Sequence, residues 1–163
     1  MNFWLPVSLA SLLFLSPASL GSQTHPQFSG TWRLDPSRSE SAADDAQPGQ
    51  LLVQITQTDQ DVTFVTTKGA QQNKTVHRFV AAPTAPFAID GSAARAYWSG
   101  AALVTEGTRL IQGQTVASRE TRTLSADGAE MIVDVVVIVE HGYQTRGGRN
   151  YGMGRDVYTR VAQ

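Results

Sequence analysis

Residues 130–140 read EMIVDVVVIVE, a run dominated by β-branched side chains, which crowd a helical turn and fit a pleated strand. Alternate residues of a strand point to opposite faces. One face of this run is therefore Met131, Val133, Val135, Val137 and Val139, and the other is Glu130, Ile132, Asp134, Val136, Ile138 and Glu140. The first face has no polar side chain and reads as core. The second is charged at its ends and middle but apolar at Ile132, Val136 and Ile138, an outer strip that reads either as scattered surface aliphatics or as a contact with a second copy of the chain in a homodimer.

The same alternation runs outward in both directions. Towards the N-terminus lie QTVASRETRTL (114–124), joined to 130–140 through an Asp127-Gly128 turn, ALVTEGTRLIQ (102–112), ARAYW (94–98) before a Ser99-Gly100 turn, PFAI (86–89) before an Asp90-Gly91 turn, KTVHRFVA (74–81), VTFVTTK (62–68) and LLVQITQ (51–57). The last two flank Thr58-Asp59-Gln60-Asp61, which is hairpin spacing. Towards the C-terminus, RDVYTRVA (155–162) closes the chain. No window holds a sustained helical period, so there are no crossover helices to join parallel strands. The chain is predicted to be all-β, an antiparallel up-and-down β-barrel of about eight to ten strands, because a closed meander leaves no free sheet edge. A sandwich is the alternative.

Composition agrees with one compact domain: 163 residues, 41% of them hydrophobic. Thirteen Lys/Arg against fourteen Asp/Glu give a formal charge of −1, which offers no basic field for a phosphate backbone, so no nucleic-acid partner is expected. The chain has no cysteine, which removes disulfides, thiolate metal sites and a Cys nucleophile together. Residues 3–20, FWLPVSLASLLFLSPASL, carry no charge, and their length and character suit a secretory signal. Ser19 and Gly21 occupy the −3 and −1 places of a cleavage before Ser22, and Pro6 and Pro17 interrupt a membrane-spanning helix. The expected division is a signal peptide at 1–21 and a single barrel domain at 22–163, periplasmic or secreted, with no integral membrane span after cleavage.

At 28–34 the chain reads Phe-Ser-Gly-Thr-Trp-Arg-Leu. Gly30-x-Trp32 beside the first strand of a barrel resembles the opening signature of the lipocalin and fatty-acid-binding superfamily. FSGTWRLDPSRSE, LVQITQTDQDVTF, YWSGAALVTE, RETRTLSADGAEMIV and VYTRV are similar, in that order, to a bacterial branch of exported lipocalin-like proteins. The resemblance implies an up-and-down barrel, Trp32 across a closed end with Arg160 of the last strand stacked on it, and a small, mainly apolar ligand, without naming one. Where that branch reads Glu-Thr-Trp, this chain has Glu120-Thr121-Arg122, a cation in place of an aromatic. The closing 154–160 and Trp98-Ser99-Gly100 also resemble the avidin family, but the spacings between them do not line up.

Parity points Gln114, Val116, Ser118, Glu120, Arg122 and Leu124 inward and gives Thr115, Ala117, Arg119, Thr121 and Thr123 a solvent face. Glu120 and Arg122 thus share the interior, either as a structural ion pair or as a polar anchor in which the planar guanidinium meets a carboxylate or hydroxyl of the ligand. Phe79, Tyr97 and Trp98 complete the ligand-binding residues expected from sequence, although large rings at a strand end also serve as barrel closure. His25, His77 and His141 have no metal spacing, and His77 reads as a wall residue sharing a face with Thr75 and Phe79. No Gly-x-Ser-x-Gly elbow is present, so no catalytic residue, metal or cofactor is expected; an isomerase or cyclase shaping an apolar substrate is the enzymatic alternative. The Gly/Arg/Tyr-rich 142–155 reads as a long hairpin loop, with a lid over the barrel mouth as its functional version. A filled barrel serving as an envelope structural or interaction module stands against the ligand-binding reading.

Overall fold

The computed structural model describes residues 25–40, 51–84, 94–111, 114–140 and 150–162. Nine strands form a closed barrel in sequence order: β1 (Gly30–Leu34), β2 (Leu51–Gln57), β3 (Asp61–Lys68), β4 (Gln71–Phe79), β5 (Arg95–Ser99), β6 (Ala102–Ile111), β7 (Gln114–Leu124), β8 (Glu130–Glu140) and β9 (Asn150–Arg160). The valine run is β8, and it pairs along its length with β7 and β9. The expected signal segment, the run 86–89 with its Asp90-Gly91 turn, and His141 lie outside the described residues.

Two expectations about connection are corrected. A ring with an odd number of strands cannot be antiparallel at every junction, and here the exception is β4 and β5, which pair in parallel through Arg78↔Arg95 and Phe79↔Ala96. That leaves β1 and β9 antiparallel, with Trp32↔Arg160 and Leu34↔Tyr158 closing the ring. The Gly-rich stretch expected as loop to residue 155 is strand from Asn150 onward, because Gly152 and Gly154 pair with Val137 and Val135.

After Leu34 the chain turns through a short 3-10 helix, Pro36–Arg38, capped by the Asp35 side chain, which accepts from the Ser37 N–H. It stays against β9: the Asp35 N–H donates to the Val157 carbonyl at 2.8 Å and the Glu40 N–H to the Arg155 carbonyl at 2.7 Å. This carries the β1–β9 closure past the end of β1 and satisfies backbone groups that would otherwise face solvent.

The core fills one end of the barrel. Phe28, Trp32, Leu34, Ile55, Val62, Ala96, Leu103 and Met131 are buried there, with Phe79, Trp98 and Leu124 packed on them. The Trp32 indole N–H donates to the Phe28 carbonyl at 2.9 Å, and the Arg160 guanidinium lies 4.2 Å from the Trp32 ring centroid. Arg160 also donates to the Gly128 and Ser29 carbonyls at 2.9 and 2.8 Å, holding the β7–β8 turn and the entry to β1 together. Gly30 makes room for it: a Cβ there would meet Arg160 Nη1 at 2.7 Å, and the backbone φ of +141° is one that side chains disfavour.

Candidate functional site

At the end away from that core the interior opens into a cavity of about 400 Å³. Its apolar wall is Leu51, Val53 and Phe64 from β2 and β3; its polar wall includes Thr75 and His77 from β4, Thr105 from β6, and Ser118, Glu120 and Arg122 from β7. These residues alternate with outward ones along each strand, so the sheet's pleat aims them inward. A smaller space of about 50 Å³ is lined by Val53, Glu120, Arg122, Met131, Asp156 and Tyr158 among others. Glu120 and Arg122, with Val53 and Tyr158, line both spaces.

Arg122 makes three contacts here. One guanidinium nitrogen donates to the Thr105 hydroxyl at 2.7 Å, another is bonded to the Glu120 carboxylate, and the guanidinium carbon stands 4.2 Å from the centroid of Phe64. The Arg122 guanidinium is thus held by Thr105 of β6, Phe64 of β3 and Glu120 of its own strand. His77 meets Phe64 edge to face at 5.6 Å. Burial, and then the charge of Arg122, hold its imidazole below the ordinary histidine range, against hydrogen bonds to the backbone at Arg95 and Glu106 and the charge of Glu120. Its Nδ1 is buried without a hydrogen-bond partner. Burial, chiefly, also pushes the Tyr158 phenol up.

The structure brings Glu120 and Arg122 to the cavity and places the three aromatic residues expected beside them elsewhere. Trp98 is inward but lies in the packed end, stacked on His25 at 4.2 Å and on Phe79 at 5.6 Å. The exposed His25 and the half-buried Phe79 and Trp98 stack there, and none of the three lines the cavity. Tyr97, one residue earlier, is outside by parity, and its hydroxyl donates to Glu106 at 2.8 Å.

Glu106 is the residue that sequence reasoning passed over. It sits on the outer face of β6 yet is 3% exposed, accepting from Arg95 of β5 at 2.8 Å and Arg119 of β7 at 2.8 Å as well as from Tyr97. Burial pushes its carboxyl up, but the hydrogen bonds from Arg95, Arg119 and Tyr97 together outweigh burial and leave it below the usual carboxylate range. The signal was available in register, since Arg95 and Arg119 are both direct cross-strand partners of Glu106. The supposed solvent face of β7 is corrected accordingly: Ala117 is buried and Arg119 is held in this cluster. The outer strip of β8 also changes, because Ile138 is buried within the single chain, leaving Ile132 and Val136 partly exposed. Among the described residues no group of His, Asp and Glu is placed to hold a metal ion, and no helix is long and apolar enough to cross a membrane.

No protein-family model matches the chain, and no curated protein matches it. Among solved structures it is similar to one described as a REP1-NXSQ fatty acid transporter, at 12% identity and a TM-score of 0.40, over 83% of this chain and 96% of that one. It is also similar to one described as the wild-type fluorescent protein UnaG, at 14% identity and a TM-score of 0.44, over 82% of this chain and 97% of the other. Likenesses at this level do not bear on what the cavity holds.

Proposed function

We propose that this chain is an exported, non-enzymatic barrel that binds one small molecule with an apolar body and a polar end. The observation that carries the reading is the cavity of about 400 Å³ with a preformed polar floor at Glu120 and Arg122. Ligand pockets run upward from about 300 Å³ and combine apolar walls with a few fixed polar groups. Leu51, Val53 and Phe64 offer the apolar wall, and the threonines opposite give the polar end a place to turn. A barrel whose interior is filled, acting as an envelope module, would not keep such a space. Export rests on the uncharged segment at 3–20, and a place among exported lipocalin-like proteins rests on Gly30-x-Trp32 and the segments that follow it. Titration with an environment-sensitive lipid probe tests the binding reading: saturable binding with displacement by a member of a fatty-acid, retinoid and quinone panel supports it, and no saturable binding across the panel sinks it.

A further inference from the structure

We propose that the polar end of the ligand is an uncharged hydrogen-bond donor, a hydroxyl group, and that Glu120 is the residue that selects it against a carboxylate. The inference rests on the binding reading and concerns which half of the Glu120–Arg122 pair the cavity presents. The Arg122 side chain is 9% exposed and that of Glu120 is 36% exposed. Both point inward, so what an entering molecule meets is the carboxylate. Meanwhile the guanidinium has one nitrogen on Thr105, another on Glu120, and its face against Phe64.

A carboxylate ligand that reached Arg122 would put two carboxylates beside one guanidinium in a half-buried space, and like charges there repel strongly. An ammonium ligand meets the opposite difficulty, because the charge of Glu120 is already matched by Arg122. A hydroxyl avoids both. It donates to the open side of the Glu120 carboxylate, a charge-assisted bond stronger than one between neutral groups, and leaves the ion pair intact. The remaining wall agrees, since Thr75, Thr105 and Ser118 are neutral groups able to accept or donate around the same end. Glu120 then does in the cavity what a bare arginine could not: it keeps Arg122 as a rigid support while cancelling its attraction for anions.

The test compares decanol, decanoate and decylammonium, three molecules with one chain and different ends, by calorimetric titration of the purified protein at neutral pH. Decanol is expected to bind at least about tenfold tighter than either charged analogue. In Glu120→Gln, which keeps the shape of the side chain and removes its charge, decanoate is expected to gain at least about tenfold while decanol weakens. Decanoate binding as well as decanol to the wild type overturns the proposal and leaves the binding reading standing; no binding of any of the three overturns both. A wild-type preference for decanol that Glu120→Gln leaves unchanged, in a variant whose melting shows it folded, removes Glu120 from the role.

Discussion

Arg160 lays its guanidinium 4.2 Å from the centroid of Trp32, and the two residues are direct partners where β9 meets β1. One contact thus closes the ring of strands and covers the packed end. Trp32 is fully buried, so Trp32→Ala is expected to cost about 3–5 kcal/mol through lost burial and the cavity it leaves. Arg160→Ala should cost about 0.5–1 kcal/mol, the value of an exposed cation over an indole. Chemical denaturation of both variants measures this, and ligand affinity in Arg160→Ala should match the wild type because the cavity lies at the other end.

Gly30 and Arg160 should be energetically coupled. A methyl group on Gly30 meets Arg160 Nη1 at 2.7 Å and also strains the backbone at φ +141°, so Gly30→Ala is expected to destabilise by about 2–3 kcal/mol. In an Arg160→Ala background only the backbone strain remains. The double variant should therefore be more stable than the two single losses added together, whereas strict additivity would mean that Arg160 moves aside freely.

The Glu106 cluster on the outer face makes a prediction about stability. Removing Glu106 leaves Arg95 and Arg119 without their shared carboxylate, and Glu106→Ala is expected to cost about 3 kcal/mol, the low end for a broken buried pair because both arginines are partly exposed. Its carboxyl is held below the ordinary value of 4.5. The unfolded chain takes up the proton first as pH falls, so the stability Glu106 contributes is complete above about pH 4.5 and is lost as pH drops through the lower folded value. Stability of Glu106→Gln, followed by denaturation below pH 5, should fall less steeply than that of the wild type.

Much of this architecture is legible in strand periodicity. The boundaries of β2, β7 and β8 coincide with the apolar and β-branched runs, and alternation alone puts Glu120 and Arg122 in the interior. What alternation does not carry is which strand lies beside which. The parallel junction of β4 and β5 has no mark in the alternation of either strand, and the stack of His25, Trp98 and Phe79 unites residues from three distant places. Glu106 was missed for a related reason: a charged residue on an outer face looks solvated until its neighbours in register, Arg95 and Arg119, are known. Tyr97 and Trp98 part company for the simplest reason, since adjacent strand residues face opposite ways.

His77 should give the barrel a second pH-dependent step. Its imidazole is held below the ordinary value of 6.5 by burial first and Arg122 second. The folded chain therefore resists protonation that the unfolded chain accepts, so stability is full above about pH 6.5 and declines as pH falls towards the lower folded value. His77→Gln should flatten that decline in denaturation curves taken from pH 7 to pH 5; an unchanged slope would show that His77 titrates as it would in the unfolded chain.

The central claim is that the molecule sits inside the barrel beside Arg122, and the most direct measurement is calorimetric titration of wild type against Ser118→Trp. Ser118 faces the cavity from β7, and a tryptophan there takes up space that a bound molecule needs. One saturable site per chain in the wild type, lost in Ser118→Trp and retained in Arg160→Ala, is the predicted result. Binding that survives Ser118→Trp undiminished would contradict the account.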